Sequence, residues 1–424
     1  MDADVVVIGA GALGLSTALH CALAGRSVVV AERHAAGSQA SGRAAGLFKS
    51  VQADEVRTIL ARRSIARAIS FADWAGVPLD VARCGSFLVA RTPRHRDYLL
   101  AEAAASRGWG ADVREVPAAE LDDRVSYYRG SGAGGPGDRG SGSGQVIWCP
   151  EDIYIEEPIS LIQAYLAGCR LAGVTVLESE PVVAVTSADG QVAGAETTAR
   201  SIATKVVVDA AGAWTRQVAE LAGARAAVAP VRHQLLVTEP SAEIDPADPI
   251  TRVVDAAVYL RPARGGLMAG GFEADPLPVD PRTQPPAFST DDVPLDLGAL
   301  RRLAGQVAEE VPLASEAGVA ELRGGLFTMS PDGRFVAGPA PDLPGLWVAS
   351  GCNGSGFSSS LAIGEALAAS ITGTELPAGL AGLGGRALAG LAPGRFGALT
   401  DAELVTRGVW QYAHYYDPAA QDSG

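Results

Sequence analysis

The sequence has little of what builds metal centres, disulfides or cationic surfaces. Its five cysteines, Cys21, Cys84, Cys149, Cys169 and Cys352, are odd in number, far apart and never in a C-x-x-C pair. The five histidines are equally scattered, so neither a zinc nor an iron–sulfur site is expected. Dispersed thiols of this kind suit the reducing cytoplasm. Basic residues number 34 against 48 acidic ones, a formal charge of −14. That disfavours nucleic acid and anionic membranes, which attract cationic surfaces. No apolar run reaches the roughly 18 residues of a membrane span, and the apolar N-terminus has no basic leader. Aromatic residues are only 6% of the chain, so the core must rest on Ala, Val and Leu. At 424 residues there is room for one large or two interleaved domains.

What is present begins at once. Asp4-Val-Val-Val-Ile8 is a β-branched run, apolar on both faces, as in the buried centre of a parallel sheet. Gly9-Ala-Gly11-Ala-Leu-Gly14 follows, then a helix pattern of Leu15, Ala18, Leu19 and Ala22 with Gly25 as its stop. Ser27–Ala31 is a second strand, closed by Glu32. Gly9 permits the tight turn, Gly11 lets backbone approach a pyrophosphate, and Gly14 lets helix pack on strand. The helix start offers its free N–H groups to phosphates, and Glu32, 18 residues beyond Gly14, is placed to accept ribose hydroxyls. Arg33 hints at a 2′-phosphate, which Glu32 would repel.

Further along, helices are expected at 55–75, 158–172 and 358–371, and strands at 79–90, 174–178, 181–186, 205–209 and 346–350. The Gly/Ser-rich stretch 129–144 reads as a linker-like insertion, and the Pro-rich 275–296 as an irregular connection. The alternation predicts an α/β fold: a doubly wound dinucleotide-binding domain interleaved with an antiparallel-sheet substrate domain. Residues 1–80, 150–225 and 315–395 are assigned to the first, 81–149 and 226–314 to the second, and 396–424 to a tail packing on the body. For the tail, packing on the dinucleotide-binding domain is preferred to a docking role.

Three more glycine-rich or small-residue segments select among dinucleotides: Gly37-Ser-Gln-Ala-Ser41-Gly-Arg43-Ala-Ala-Gly46, Asp209-Ala-Ala-Gly212-Ala-Trp214, and Gly351-Cys-Asn-Gly354-Ser-Gly356-Phe357. With these in order, the chain over roughly 3–415 resembles the D-amino-acid oxidase superfamily of FAD-dependent oxidoreductases, in its sarcosine oxidase and dimethylglycine dehydrogenase branch. The resemblance implies FAD and a hydride taken from the carbon beside the nitrogen of a secondary or N-substituted amino acid. It implies cofactor contacts at Gly9, Gly11, Gly14, Glu32, Arg33, Ser41, Arg43, Ala44, Val183, Ala211, Gly212, Trp214, Gly325, Gly354, Ser355, Gly356, Phe357 and Ser358. A helix dipole starting near Ser358 would stabilise the anionic reduced ring.

Departures from the family pattern are informative. Gly42 stands where many relatives place a flavin-linking His, and Gly325 where sarcosine oxidases place the linking Cys, ahead of Leu326-Phe-Thr-Met-Ser-Pro-Asp332. Non-covalent FAD is therefore expected. Met268 occupies the position of the oxygen-activating lysine, which tilts the reading from dioxygen toward another electron acceptor. Lys49 matches a carboxylate-binding Arg, Ser358 a second carboxylate-binding Lys, and Phe327 an Arg of glycine oxidase. His233 is expected to take the amine proton and Tyr259 to orient the nitrogen; Met268 and Phe327 are expected to line the substrate pocket. Arg232 and Arg261 read as surface or ion-pair residues. Competing readings are a nicotinamide-dependent dehydrogenase, a glycine or D-amino-acid oxidase, and a partner-dependent, non-catalytic flavin subunit.

Overall fold

The computed structural model describes residues 1–130 and 144–417, so most of the Gly/Ser-rich insertion (131–143) and the last seven residues lie outside the described part. Two sheets organise the rest. The first has six strands in the order Val336–Pro339, Leu346–Ser350, Val207–Asp209, Val5–Ile8, Val28–Ala31, Thr175–Leu177. All neighbours are parallel except Val336–Pro339, which pairs antiparallel to Leu346–Ser350. Every residue of Val5–Ile8 and Val28–Ala31 is buried, which explains why these strands read as unbroken apolar runs. Helices Ala12–Leu23, Pro158–Leu171 and Gly356–Thr372 pack together on one face, and three antiparallel strands between Val182 and Ala203 pack on the other.

The second sheet has eight strands, ordered Val319–Met329, Ala229–Thr238, Gly266–Gly271, Val258–Ala263, Ile250–Val253, Ser86–Ala90, Gln145–Cys149, Arg114–Val116. It is antiparallel apart from Ile250–Val253 beside Ser86–Ala90. Val319–Met329 was expected in the flavin domain; its ladder with Ala229–Thr238 makes it an edge of the second sheet instead, so the chain returns to the first sheet only after Met329. Two helix expectations also shift, and one helix was not expected. The 55–75 helix is two, Glu55–Ile69 and Phe71–Ala75, broken at Ser70. The last long helix starts at Gly356, two residues before Ser358. Residues 401–413 form a helix that sequence periodicity did not reveal. A capping box starts it, the Thr400 side chain and Glu403 satisfying each other's backbone N–H groups. It packs on strands Ala229–Thr238 and Val319–Met329, hence on the second sheet rather than the flavin domain.

Candidate active site

Gly9 adopts φ +107°, and a Cβ there would lie 2.5 Å from the Ala210 carbonyl oxygen. A Cβ on Gly14 would lie 2.0 Å from the Gly9 oxygen, so the first helix touches the strand end only because residue 14 has no side chain. Ser41 Oγ accepts a hydrogen bond from Ala12 N–H at 3.1 Å and borders Gly11, holding a hydroxyl beside the helix start. Each Glu32 oxygen takes one backbone N–H, from Ala10 (2.7 Å) and from His34 (2.8 Å). A carboxylate oxygen has further lone pairs, so ribose hydroxyls remain acceptable partners. Arg33 is turned away from any 2′-phosphate: its guanidinium donates to the Pro286 oxygen and lies over the Trp214 ring.

These groups wall a cavity of about 470 Å³ that runs from the first helix to the Gly351–Phe357 turn. Gly9, Gly11, Glu32, Arg33, Ser41, Val183, Ala211, Gly212, Trp214, Gly356 and Phe357 line it. In that turn Gly351, Asn353 and Gly354 all have positive φ, and Asn353 pins the shape by donating to the Gly351 oxygen and accepting from Ser330 N–H. Helix Gly356–Thr372 therefore presents its N-terminal end to the cavity, as the dipole argument requires.

A second chamber of about 100 Å³ shares Ala40, Ala44, Phe327, Gly354 and Phe357 with the first. Arg43, Lys49, His233, Tyr259, Gly325, Ser355 and Ser358 line it, together with Arg252, Phe272, Arg323, Tyr415 and Tyr416. Of the residues expected at the site, only Gly14 and Met268 are outside both walls. Gly14 acts through packing, as expected. Met268 does not: it is buried among Leu235, Val237 and Ala263, behind Ala45. Its pairing with Val237 and Arg261 puts its side chain on the sheet face that carries His233 and Tyr259, but further along, packed behind Leu235 and Ala45 of the chamber wall. Arg261 is wholly buried rather than superficial, donating to Glu156 and to the Ala45 oxygen behind the chamber. Arg232 pairs with Glu273.

Lys49 reaches the chamber with Glu102 at 3.7 Å and the Tyr416 ring 5.6 Å away. Ser358 Oγ is spent on the Ser355 oxygen. His233 is buried, its ring stacked on Phe327 with centroids 4.1 Å apart. Both of its nitrogens are engaged at 2.8 Å, Nδ1 with Tyr412 Oη and Nε2 with Tyr259 Oη. Burial pushes its pKa down to about 3, and burial raises that of the Tyr259 hydroxyl. Desolvation disfavours the imidazolium, which weighs against the expectation that His233 takes the amine proton. Sequence reasoning missed Tyr412, Tyr415, Tyr416, Phe272, Arg252 and Arg323. The Thr400–Glu403 capping box was the sequence signal of the helix that carries Tyr412 and leads into Tyr415 and Tyr416.

A neutral buried histidine has a consequence for stability. Above pH 6.5 neither folded nor unfolded chain holds a proton on residue 233; between 6.5 and about 3 only the unfolded chain does. His20, lowered to about 4 by burial, acts in the same direction. Each contribution is intact above 6.5 and is lost as pH falls, at up to about 1.4 kcal/mol per pH unit. His233→Gln should flatten the fall of Tm between pH 6.5 and 4.5; slopes identical to wild type would show that His233 titrates normally.

A dinucleotide cradle ending against a small chamber lined by cations and aromatic rings is the architecture of a flavin-dependent redox protein. The chain belongs to the DAO family of FAD-dependent oxidoreductases, whose profile matches residues 4–370. It is 28% identical over 373 residues to 4-methylaminobutanoate oxidase (formaldehyde-forming) of Paenarthrobacter nicotinovorans, covering 86% of this chain and 43% of that protein. With human mitochondrial sarcosine dehydrogenase it shares 27% over 375 residues, 86% of this chain and 39% of the relative. The chain thus spans about two fifths of the length of these relatives. The L-proline dehydrogenase of P. horikoshii has the same fold, with a TM-score of 0.77 at 21% identity over 90% of this chain and 96% of that one.

FAD is the cofactor that the family implies, and the residues fit it. The glycine cradle is open where side chains would fill it, and His34 Nε2, of a residue lining the cavity, is buried with no partner among the described residues. Gly9, Gly11 and Ser41 would hold the pyrophosphate, Glu32 the ribose, and the Gly354–Phe357 turn the ring end.

Proposed function

We propose that the chain oxidises a secondary or otherwise N-substituted amino acid at a carbon next to the nitrogen, using FAD held without a covalent bond. The second chamber carries this reading. It adjoins the dinucleotide cavity, and its charged wall is Arg43, Lys49, Arg252 and Arg323, with no Asp or Glu lining it among the described residues. Arg43, Arg252 and Arg323 are paired at 2.6–3.0 Å with Asp291, Asp152 and Glu321, so the cation with donors to spare for a substrate carboxylate is Lys49, whose partner Glu102 lies 3.7 Å away. A relative that forms formaldehyde from 4-methylaminobutanoate supports a substituted amine as the reacting group.

Lys49 binds the carboxylate as a point charge, and the rings of Phe272, Phe327, Tyr415 and Tyr416 keep the chamber dry. His233, with a pKa of about 3, and Tyr259, raised by burial, both fail as proton acceptors near neutrality. The amine therefore sheds its proton to water as it binds, and its nitrogen lone pair is then free to assist departure of hydride from the neighbouring carbon. When bound, FAD supplies the two-electron acceptor for that hydride. Water hydrolyses the resulting imine. Gly42 and Gly325 give the flavin no nucleophile to bond with; Cys352 is the thiol in the cavity wall.

Anaerobic mixing of the purified yellow protein with N-methyl amino acids should bleach the flavin band, and acid precipitation should then leave the flavin in the supernatant. No bleaching by any N-substituted amino acid would overturn the reading in favour of a partner-dependent flavin subunit. A yellow pellet would instead overturn non-covalent attachment and direct attention to Cys352.

A further inference from the structure

Resting on that reading of the chamber, we propose that Tyr412 is a positioning residue: it fixes His233 as the Nε2–H tautomer and so aims the Tyr259 hydroxyl hydrogen at the substrate carboxylate. The hydrogen bonds run in one line, from Tyr412 Oη to His233 Nδ1 and from His233 Nε2 to Tyr259 Oη, each 2.8 Å. A neutral imidazole donates from one nitrogen and accepts at the other, so the line has two possible polarities.

The surroundings of Tyr412 choose between them. It is fully buried on helix Asp401–Ala413, whereas Tyr259 borders the chamber. Among the described residues, its hydroxyl hydrogen has one acceptor, His233 Nδ1. If His233 Nδ1 carried the proton, the Tyr412 hydrogen would be left buried without an acceptor, which native interiors avoid. The favoured polarity therefore has Tyr412 O–H donating to Nδ1 and Nε2–H donating to Tyr259 Oη. Tyr259 then has its own hydrogen left to give, and it lines the chamber.

Lys49 and Tyr259 then both present donors to a substrate carboxylate. The C-terminal helix, outside both sheets, becomes part of substrate selection.

The test uses the FAD-loaded full chain labelled with 15N-histidine, with the His233 signals assigned by comparison with His233→Gln. Long-range 15N–1H spectra of wild type should show the His233 proton on Nε2, and Tyr412→Phe, which keeps the ring and removes only the hydroxyl, should lose that preference. In anaerobic reduction, Tyr412→Phe should weaken the preference for an amino acid over its decarboxylated amine by about tenfold in kcat/KM, with flavin content unchanged. A wild-type proton on Nδ1 overturns the proposal, as does an unchanged selectivity ratio in the variant. Should no amine reduce the wild-type flavin, the functional reading fails, while the tautomer spectra still decide the role of Tyr412.

Discussion

Gly14→Ala is expected to purify colourless. The added methyl would sit 2.0 Å from the Gly9 oxygen and 3.1 Å from the Gly9 carbonyl carbon. Neither atom belongs to a flexible side chain, so the helix Ala12–Leu23 must back away from the strand Val5–Ile8. That withdrawal carries the helix N-terminal N–H groups and Ser41 Oγ out of register with the phosphates they would bind. Flavin occupancy after gel filtration with excess FAD should drop at least tenfold, read from visible against ultraviolet absorbance. Gly25→Ala is the control. Its φ of +83° makes alanine strained, at a cost of about 1 kcal/mol, but a Cβ there meets nothing within 4 Å. It should lose some stability and keep its colour. If Gly14→Ala retains a full complement of flavin, the glycine fingerprint is not the cofactor site.

The first sheet was legible because its signals are local. Val5–Ile8, the glycine turn, the helix and Glu32 follow one another within some thirty residues, and each glycine acts through a backbone contact that its neighbours in sequence create. The second sheet is assembled from strands whose partners lie far apart. Ser86–Ala90 sits beside Ile250–Val253, and nothing near either segment announces the pairing. For the same reason Val319–Met329 was expected with the first sheet, since nothing near it announces its ladder with Ala229–Thr238.

The second chamber was half legible. A resemblance can align Lys49, His233 and Tyr259 with site positions, but it cannot say whether a side chain points inward or what burial does to it. Met268 shares the sheet face of His233 and Tyr259 but is packed behind Leu235 and Ala45, and burial lowers the pKa of His233. Both facts depend on three-dimensional surroundings. Tyr412 was beyond sequence reasoning altogether, since its partner His233 is 179 residues away.

Lys49→Met should lower kcat/KM for an amino-acid substrate by about 2–4 kcal/mol, roughly 30- to 1000-fold, and hardly affect the same amine lacking its carboxylate. Lys49 sits 3.7 Å from Glu102, at the loose end of an ion pair, with side chains 14% and 5% exposed. An ammonium with three donors at that distance keeps donors to spare for a ligand. Removing it also strands the Glu102 carboxylate in a nearly dry position, so part of any loss in the single variant would be structural. Lys49→Met combined with Glu102→Gln removes both charges and restores neutrality. If Lys49 binds the substrate, the double variant should regain stability but not kcat/KM. Regained activity would assign the lysine to holding helix Pro93–Gly108 in place, and an equal loss on the decarboxylated amine would remove carboxylate binding from its role. Lys49→Arg should not rescue fully, because the guanidinium fork is wider than the ammonium and must fit between Glu102 and the Tyr416 ring, which Lys49 Nζ already approaches to 5.6 Å.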